Sequence, residues 1–300
     1  AASHGHRRRR CVLRRTLASV AALAASLTSG TTARAEALPS EAWPDASTTA
    51  RAVDAPYWSR GEPRPFVSAS LAIGLPYVRP TFQVGFGRPF YRAMSLDLEP
   101  LVTMSGAGFY GGVRATVPFL ELRAGVRKFE TFGRTLMPPK EQHESADLDL
   151  PNGPEAEPVT LESELSGAVA VPGGGPFWLL GVYYATQLEP GHHLYDEYRK
   201  VIIAPPWLWR ARVGYAWRFG RNDAVRLGVA EEILENPGRA GYVIRAGVLG
   251  SVAIGEHADV ELSFLPVIHS PDSIGLAGAD FAHLGVRWRW ATGPATRRRR

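Results

Sequence analysis

From Trp207 to Phe219 the chain alternates without a break. The odd positions are Trp207, Trp209, Ala211, Val213, Tyr215, Trp217 and Phe219; the even ones are Leu208, Arg210, Arg212, Gly214, Ala216 and Arg218. Period two is the period of an extended strand whose two faces meet two environments. A helix would scatter both classes around its circumference. The pattern returns near the end of the sequence, with Leu284, Val286, Trp288 and Trp290 on one face and His283, Gly285, Arg287 and Arg289 on the other.

Such segments recur along the chain. About twelve are read, near 66–74, 81–88, 93–104, 108–118, 119–132, 159–171, 176–187, 200–219, 224–233, 241–254, 258–269 and 280–291, with Gly/Pro/Asn/Asp clusters between them. One face gathers Leu96, Leu98, Val113, Leu122, Val126, Leu227, Val229, Ile244 and Leu262. The other gathers Asp97, Glu99, Arg114, Glu121, Arg123, Arg127, Glu162, Glu164, Arg226, Glu232, Arg245 and Glu261, with Gly125, Gly214, Gly228 and Gly247 among them.

A soluble barrel would hide the first face; a membrane barrel would hide the second. Three features favour the membrane. Many segments approach 11–13 residues, whereas soluble strands average about 5–6. Trp207, Trp209, Trp217, Phe219, Trp288 and Trp290 sit at segment ends, where membrane-interface aromatics belong. Charges mixed with glycines suit a crowded polar interior. The links point the same way. Those after even-numbered segments are short, as at Pro89–Tyr91 and Gly255–Ala258, and the longest, Gly133–Pro158, Leu188–Tyr198 and Ser270–Asp280, follow odd ones. Barrels of the outer membrane sort their links in this way, with turns on the periplasmic side and loops outside. The expectation is an all-β, closed, antiparallel transmembrane barrel of about twelve strands over residues 66–291.

The ends read differently. Residues 1–35 combine Arg7–Arg10, Arg14 and Arg15 with a short apolar run at 17–27 and an Ala33-Arg34-Ala35 cleavage signal, which is the pattern of a cleaved signal peptide. Residues 36–65, rich in Ala, Pro, Ser and Asp, read as a flexible periplasmic linker or a plug, and 292–300 as a basic tail. The chain carries +5; residues 1–35 hold seven arginines and no acid, so the remainder is −2, and −6 without Arg297–Arg300. The basic balance therefore belongs to the ends and gives no support for nucleic-acid binding. Cys11, the one cysteine, lies in the signal, which leaves no disulfide or cysteine-based metal site in the remainder.

At these residues the chain resembles bacterial outer-membrane β-barrel proteins. His283-x-Gly285-x-x-Trp288-x-Trp290 fits the barrel-assembly signal of that class, and Arg212-x-Gly214-x-x-Trp217-x-Phe219 fits it again. The resemblance is to the class and not to one porin or transporter. It implies residence in the outer membrane of a diderm bacterium, contact with outer-membrane lipids and delivery by the barrel-assembly machinery. The chain departs from the class in three places. Ten residues follow Trp290, Pro266 falls within a strand pattern, and Phe177-Trp178-Leu179-Leu180 is apolar on both faces.

The charged face gives the functional expectation. Arg210, Arg212, Arg218, Arg226 and Arg245 cluster on the eighth to tenth segments, and Asp97 and Glu99 lie across the ring on the third; Arg287 and Arg289 join the lumen from the last. Opposed acidic and basic walls would give a narrow porin-like channel selective for small solutes. Charges paired across the lumen would instead give a closed structural barrel. A lipid-modifying outer-membrane enzyme and a soluble secreted barrel that binds an apolar ligand are the alternatives. No catalytic residue is assigned. His269 and Ser270 are adjacent and so point to opposite faces, no nucleophile elbow occurs, and Pro172–Gly175 is a turn rather than a phosphate loop. No cofactor is expected. His143, His192 and His193 lack the further ligands of a metal site, and the acidic loop Arg134–Pro158 reads as a solvated surface loop.

Overall fold

The computed structural model describes residues 57–74, 77–104, 106–132, 136–149, 157–186, 191–220, 223–239, 241–280 and 285–293. The expected signal segment, most of the expected linker, His283 and residues 294–300 of the expected basic tail lie outside them.

Fifteen strands are present among these residues: β1 (Arg64–Gly74), β2 (Tyr77–Arg88), β3 (Arg92–Thr103), β4 (Gly106–Val117), β5 (Leu120–Thr131), β6 (Val159–Ala168), β7 (Gly174–Thr186), β8 (Leu194–Asp196), β9 (Val201–Ile203), β10 (Trp207–Phe219), β11 (Val225–Glu235), β12 (Tyr242–Ile254), β13 (Ala258–Phe264), β14 (Val267–His269) and β15 (Gly285–Ala291). Twelve of them form a ring in which every neighbour is antiparallel: β1 to β7, then β10 to β13, then β15. β15 returns to β1 over Ser68↔Ala291 to Gly74↔Gly285, and this pairing closes the barrel. Closure gives each of the twelve ring strands a partner on both sides, as a wall in lipid requires, while β14 pairs with β12 alone.

Prolines set the two interruptions. Pro205 and Pro206 end the pattern expected over 200–219, so β9 leaves the wall and pairs with β8 as a separate hairpin. Pro266 cannot donate to the ladder. β13 stops before it, and β14 resumes against Ile244 and Arg245 of β12 with a shifted register.

The two faces are oriented as a membrane requires. Leu96, Leu98, Val113, Leu122, Leu227, Val229 and Leu262 are exposed outward, while Asp97, Glu99, Arg123, Glu232 and Arg245 are buried inward. This excludes the soluble barrel with an apolar interior. The described residues of the long links, 136–149, 191–206 and 270–280, gather at one end, and the opposite end carries turns. At the turn end a short 3-10 turn, Tyr57–Ser59, precedes β1. Trp58 is fully buried against Tyr57, Phe90 and His257, and the Tyr57 hydroxyl donates to the Ala291 carbonyl at 2.9 Å. The last part of the expected linker is thus packed onto the barrel, and the first strand begins at Arg64, two residues before the expected start.

Candidate functional site: a filled lumen and a loop cap

The lumen is lined by alternate residues of each strand, so the sequence pattern delivers its charges there automatically. They form clusters between neighbouring strands. On β3 to β6, Arg114 Nε donates to Asp97 at 2.5 Å and its Nη1 to Glu121 at 2.6 Å. Arg123 and Arg127 both reach Glu99, at 3.1 and 2.9 Å, and Arg127 Nε also reaches Glu162 at 2.8 Å. On β10 to β12, one carboxylate serves three guanidiniums. Glu232 accepts from Arg210 at 2.7 Å, Arg212 at 2.8 Å and Arg245 at 2.6 Å. Near β15, Asp259 accepts from Arg289 at 2.7 Å and Arg287, which also pairs with Glu261 at 2.8 Å.

These side chains are dry. Glu232 is 0% exposed, Asp97, Arg212 and Arg245 1% each, and Glu99 2%. A water-sized sphere inside an open lumen would touch them. The interior is therefore packed at this level, and each charge is held by partners as burial demands.

Aromatic rings fill what the charges leave. Tyr110 lies over Gly112 and Gly125, where an added Cβ would meet its ring within 2.6 Å. The Arg123 guanidinium stacks on the other part of that ring, 3.8 Å from its centroid. Phe177 covers Gly214 and joins Ala168, Ala216, Ala230, Leu249 and Leu265 in an apolar lumen cluster. The run that is apolar on both faces thus becomes an interior patch, with Phe177 and Leu179 buried inside.

The β8–β9 hairpin enters the lumen from the loop end. The Arg199 guanidinium at its tip donates to Glu162 at 2.7 Å and lies 3.7 Å from the centroid of the Tyr183 ring. Glu197 accepts from Thr103 Oγ1 at 2.6 Å, and the Tyr198 hydroxyl pairs with Arg79. Arg245 holds the tip from the wall: its Nη2 donates to the carbonyls of Arg199 (3.1 Å) and Lys200 (2.7 Å), and its Nε to that of Gly278 (2.7 Å). Arg212 also bonds Asp280 of the last long loop.

Above the hairpin three long loops form a cap, joined by Arg239 of the short β11–β12 link. Met137 and His193 exchange backbone hydrogen bonds at 2.8 Å. His143 Nε2 and His193 Nδ1 share a hydrogen bond at 2.8 Å. Asp272 accepts from the His143 backbone N–H at 2.9 Å and from Arg239 at 2.6 and 2.7 Å. Met137, Leu148, Ile202 and Ile274 make a small apolar core beneath. Burial holds the His143 and His193 imidazoles below the ordinary histidine range, His193 at about 4, with nearby Arg239 adding to the effect in both.

The outcome for the expected residues is specific. Arg210, Arg212, Arg218, Arg226, Arg245, Arg287, Arg289, Asp97 and Glu99 all lie on the lumen face. They do not form opposed walls. Asp97 pairs with Arg114 of β4 next door, Glu99 reaches Arg123 and Arg127 two strands away on β5, and the β10–β12 arginines have Glu232 in their midst; adjacent strands lie about 5 Å apart, so partners on the same side of the ring meet first. Trp207 and Trp209 mark the loop end of β10, Trp217 and Phe219 its turn end, and Trp288 and Trp290 the turn end of β15, all facing outward. The segment 136–149 is not a plain solvated loop, since Leu136, Met137, His143 and Leu148 are buried. Ser270 Oγ accepts from the Asp272 N–H, and His269 packs on Tyr242. Among the described residues no group of three His, Cys, Asp or Glu is placed to hold a metal. The interior hairpin is what sequence reasoning missed; Pro205-Pro206 marks where the wall strand begins but not that 191–204 turn inward.

A closed antiparallel ring with an apolar outer wall and a charged interior defines an outer-membrane β-barrel. No protein-family model matches the chain, and no curated protein does. Among solved structures, the NanC porin is similar at 8% identity over 76% of this chain and 98% of that one, with a TM-score of 0.35. The beta domain of the Bordetella autotransporter BrkA is similar at 10% identity over 78% and 99%, with a TM-score of 0.37. A loop-deleted form of OmpT, an outer membrane protein of Vibrio cholerae, is similar at 9% identity over 77% and 98%, with a TM-score of 0.32.

Proposed function

We propose that the protein is a closed, non-conducting barrel of the outer membrane of a diderm bacterium, exported by a cleaved signal peptide and inserted by the barrel-assembly machinery, with its turns in the periplasm and its capped loops outside. Its role is that of a scaffold that presents the cap, not that of an open porin or an enzyme. The observation that carries this reading is the dryness of Glu232, Arg212, Arg245, Asp97 and Glu99 in the lumen. The hairpin tip bound to Glu162 and Arg245 supports it from the loop end.

The test is conductance in a planar bilayer with orientation-independent proof of insertion. The intact barrel is expected to be silent. Replacing 191–204 by a short Gly/Ser link removes the hairpin and exposes Glu162 and Glu232 to water; it is expected to produce leak currents. Stepwise, ion-selective openings of the intact protein would overturn the proposal and restore the channel reading.

A further inference from the structure

Arg226 differs from every other lumen arginine discussed above. It is 3% exposed, on the lumen face of β11, one residue in from the turn end. Among the described residues it makes no hydrogen bond or ion pair, and its Nε is buried without a partner. Directly opposite it on β10 stands Arg218, and on β12 Ser251. Like charges set directly opposite on paired strands repel. Arg218 gives one N–H to the Gly174 carbonyl at 3.1 Å and faces Asp223 at 3.6 Å, so it retains donors of its own. The next acids in the ring, Asp259 and Glu261, are engaged by Arg287 and Arg289. Four guanidiniums in this part of the lumen thus face three carboxylates. The Glu232 cluster cannot help. It lies six residues along β11, about 20 Å, beyond the apolar layer of Ala216, Ala230 and Leu249.

We infer that Arg226, Arg218 and Ser251 form a binding site for a small phosphate-type oxyanion at the turn end of the lumen. A buried, unpaired guanidinium is strongly unfavourable, and an anion between the two forks removes both the orphan charge and the Arg218–Arg226 repulsion. The Ser251 hydroxyl adds a third donor from the neighbouring strand. Three donors on three strands suit an anion with several oxygens, since planar forks engage such groups bidentately. Arg218 and Asp223, both less buried than Arg226, mark the side from which the anion arrives.

The test uses the full chain refolded in detergent. Inorganic phosphate is titrated at constant ionic strength by calorimetry, and the thermal midpoint is followed in parallel against sodium chloride of equal ionic strength. Saturable single-site binding and a phosphate-dependent rise in midpoint are expected. Arg226→Met is expected to weaken binding about tenfold or more and to abolish the rise. Should that variant fail to fold, Ser251→Ala must still weaken phosphate binding. The inference is overturned by absence of saturable phosphate binding, by chloride reproducing it, or by unchanged binding in the folded variant.

Discussion

Changing Glu232 to Gln tests the dry lumen at its centre. The carboxylate receives Arg210, Arg212 and Arg245 at 2.6 to 2.8 Å and is 0% exposed. The amide keeps the shape, loses the charge and turns an N–H toward a guanidinium. Each charge-assisted hydrogen bond is worth about 1.5–3 kcal/mol, but the three losses do not add. Arg212 keeps Asp280, and Arg245 keeps the carbonyls of Gly278, Arg199 and Lys200. Arg210 alone is stranded. Removing one partner of a buried ion pair costs about 3–5 kcal/mol, and that is the expected loss. At about 3 kcal/mol per molar urea, the unfolding midpoint should fall by about 1–1.7 M. Tryptophan fluorescence of the barrel in detergent reads this transition. Glu130→Gln, which removes a pair between exposed side chains at Lys128, is the control and should leave the midpoint unchanged. A Glu232→Gln midpoint within about 0.2 M of the parent would refute the reasoning, because a carboxylate that can be neutralised without penalty is a wetted one.

Two further outcomes are expected. The cap should loosen in acid. Both imidazoles are held below the ordinary histidine value in the folded cap and return to it once the cap opens, so the open form binds more protons below about pH 6.5, for His193 down to about 4. Cap stability therefore rises with pH through that window and is lost as pH falls through it, which limited proteolysis of the 136–149 segment at pH 7 and 4.5 should show. His193→Gln should flatten this dependence, and an unaltered pH profile in that variant would exclude the pair as its source. On the outer wall, Val229→Arg in mid-strand should cost about 2–4 kcal/mol in lipid vesicles, and Trp290→Arg at the rim no more than about 1. Equal penalties at the two sites would contradict the placement of the membrane.

The wall was legible because period two survives closure: Trp207–Phe219 reads the same in sequence and in the ring. Pro266 marked its interruption correctly, since a missing N–H is a local fact. The filled lumen was not legible. Whether Glu99 meets Arg123 two strands away or Arg210 across the ring depends on register and diameter, which alternation does not encode. Nor does any local signal say that residues 191–204 turn inward, or that His143 and His193, 50 positions apart, share a hydrogen bond. Those contacts come from the convergence of three loops over one barrel end.

The neighbour-to-neighbour pairing described for the lumen also bears on assembly. The acid–base partners are close in sequence: seven positions separate Arg114 from Glu121, 13 Glu232 from Arg245, and 24 Glu99 from Arg123. Within the β4–β5 and β11–β12 hairpins, Arg114–Glu121 and Glu232–Arg245 can therefore pair as the hairpin forms, before the ring has shut. Partners on opposite sides of the lumen would have stayed bare until the final seam between β1 and β15 closed. Loop closure over short separations is also the cheaper step. Inward charges matched within a hairpin enter the bilayer as pairs, and ring closure has fewer bare charges left to match.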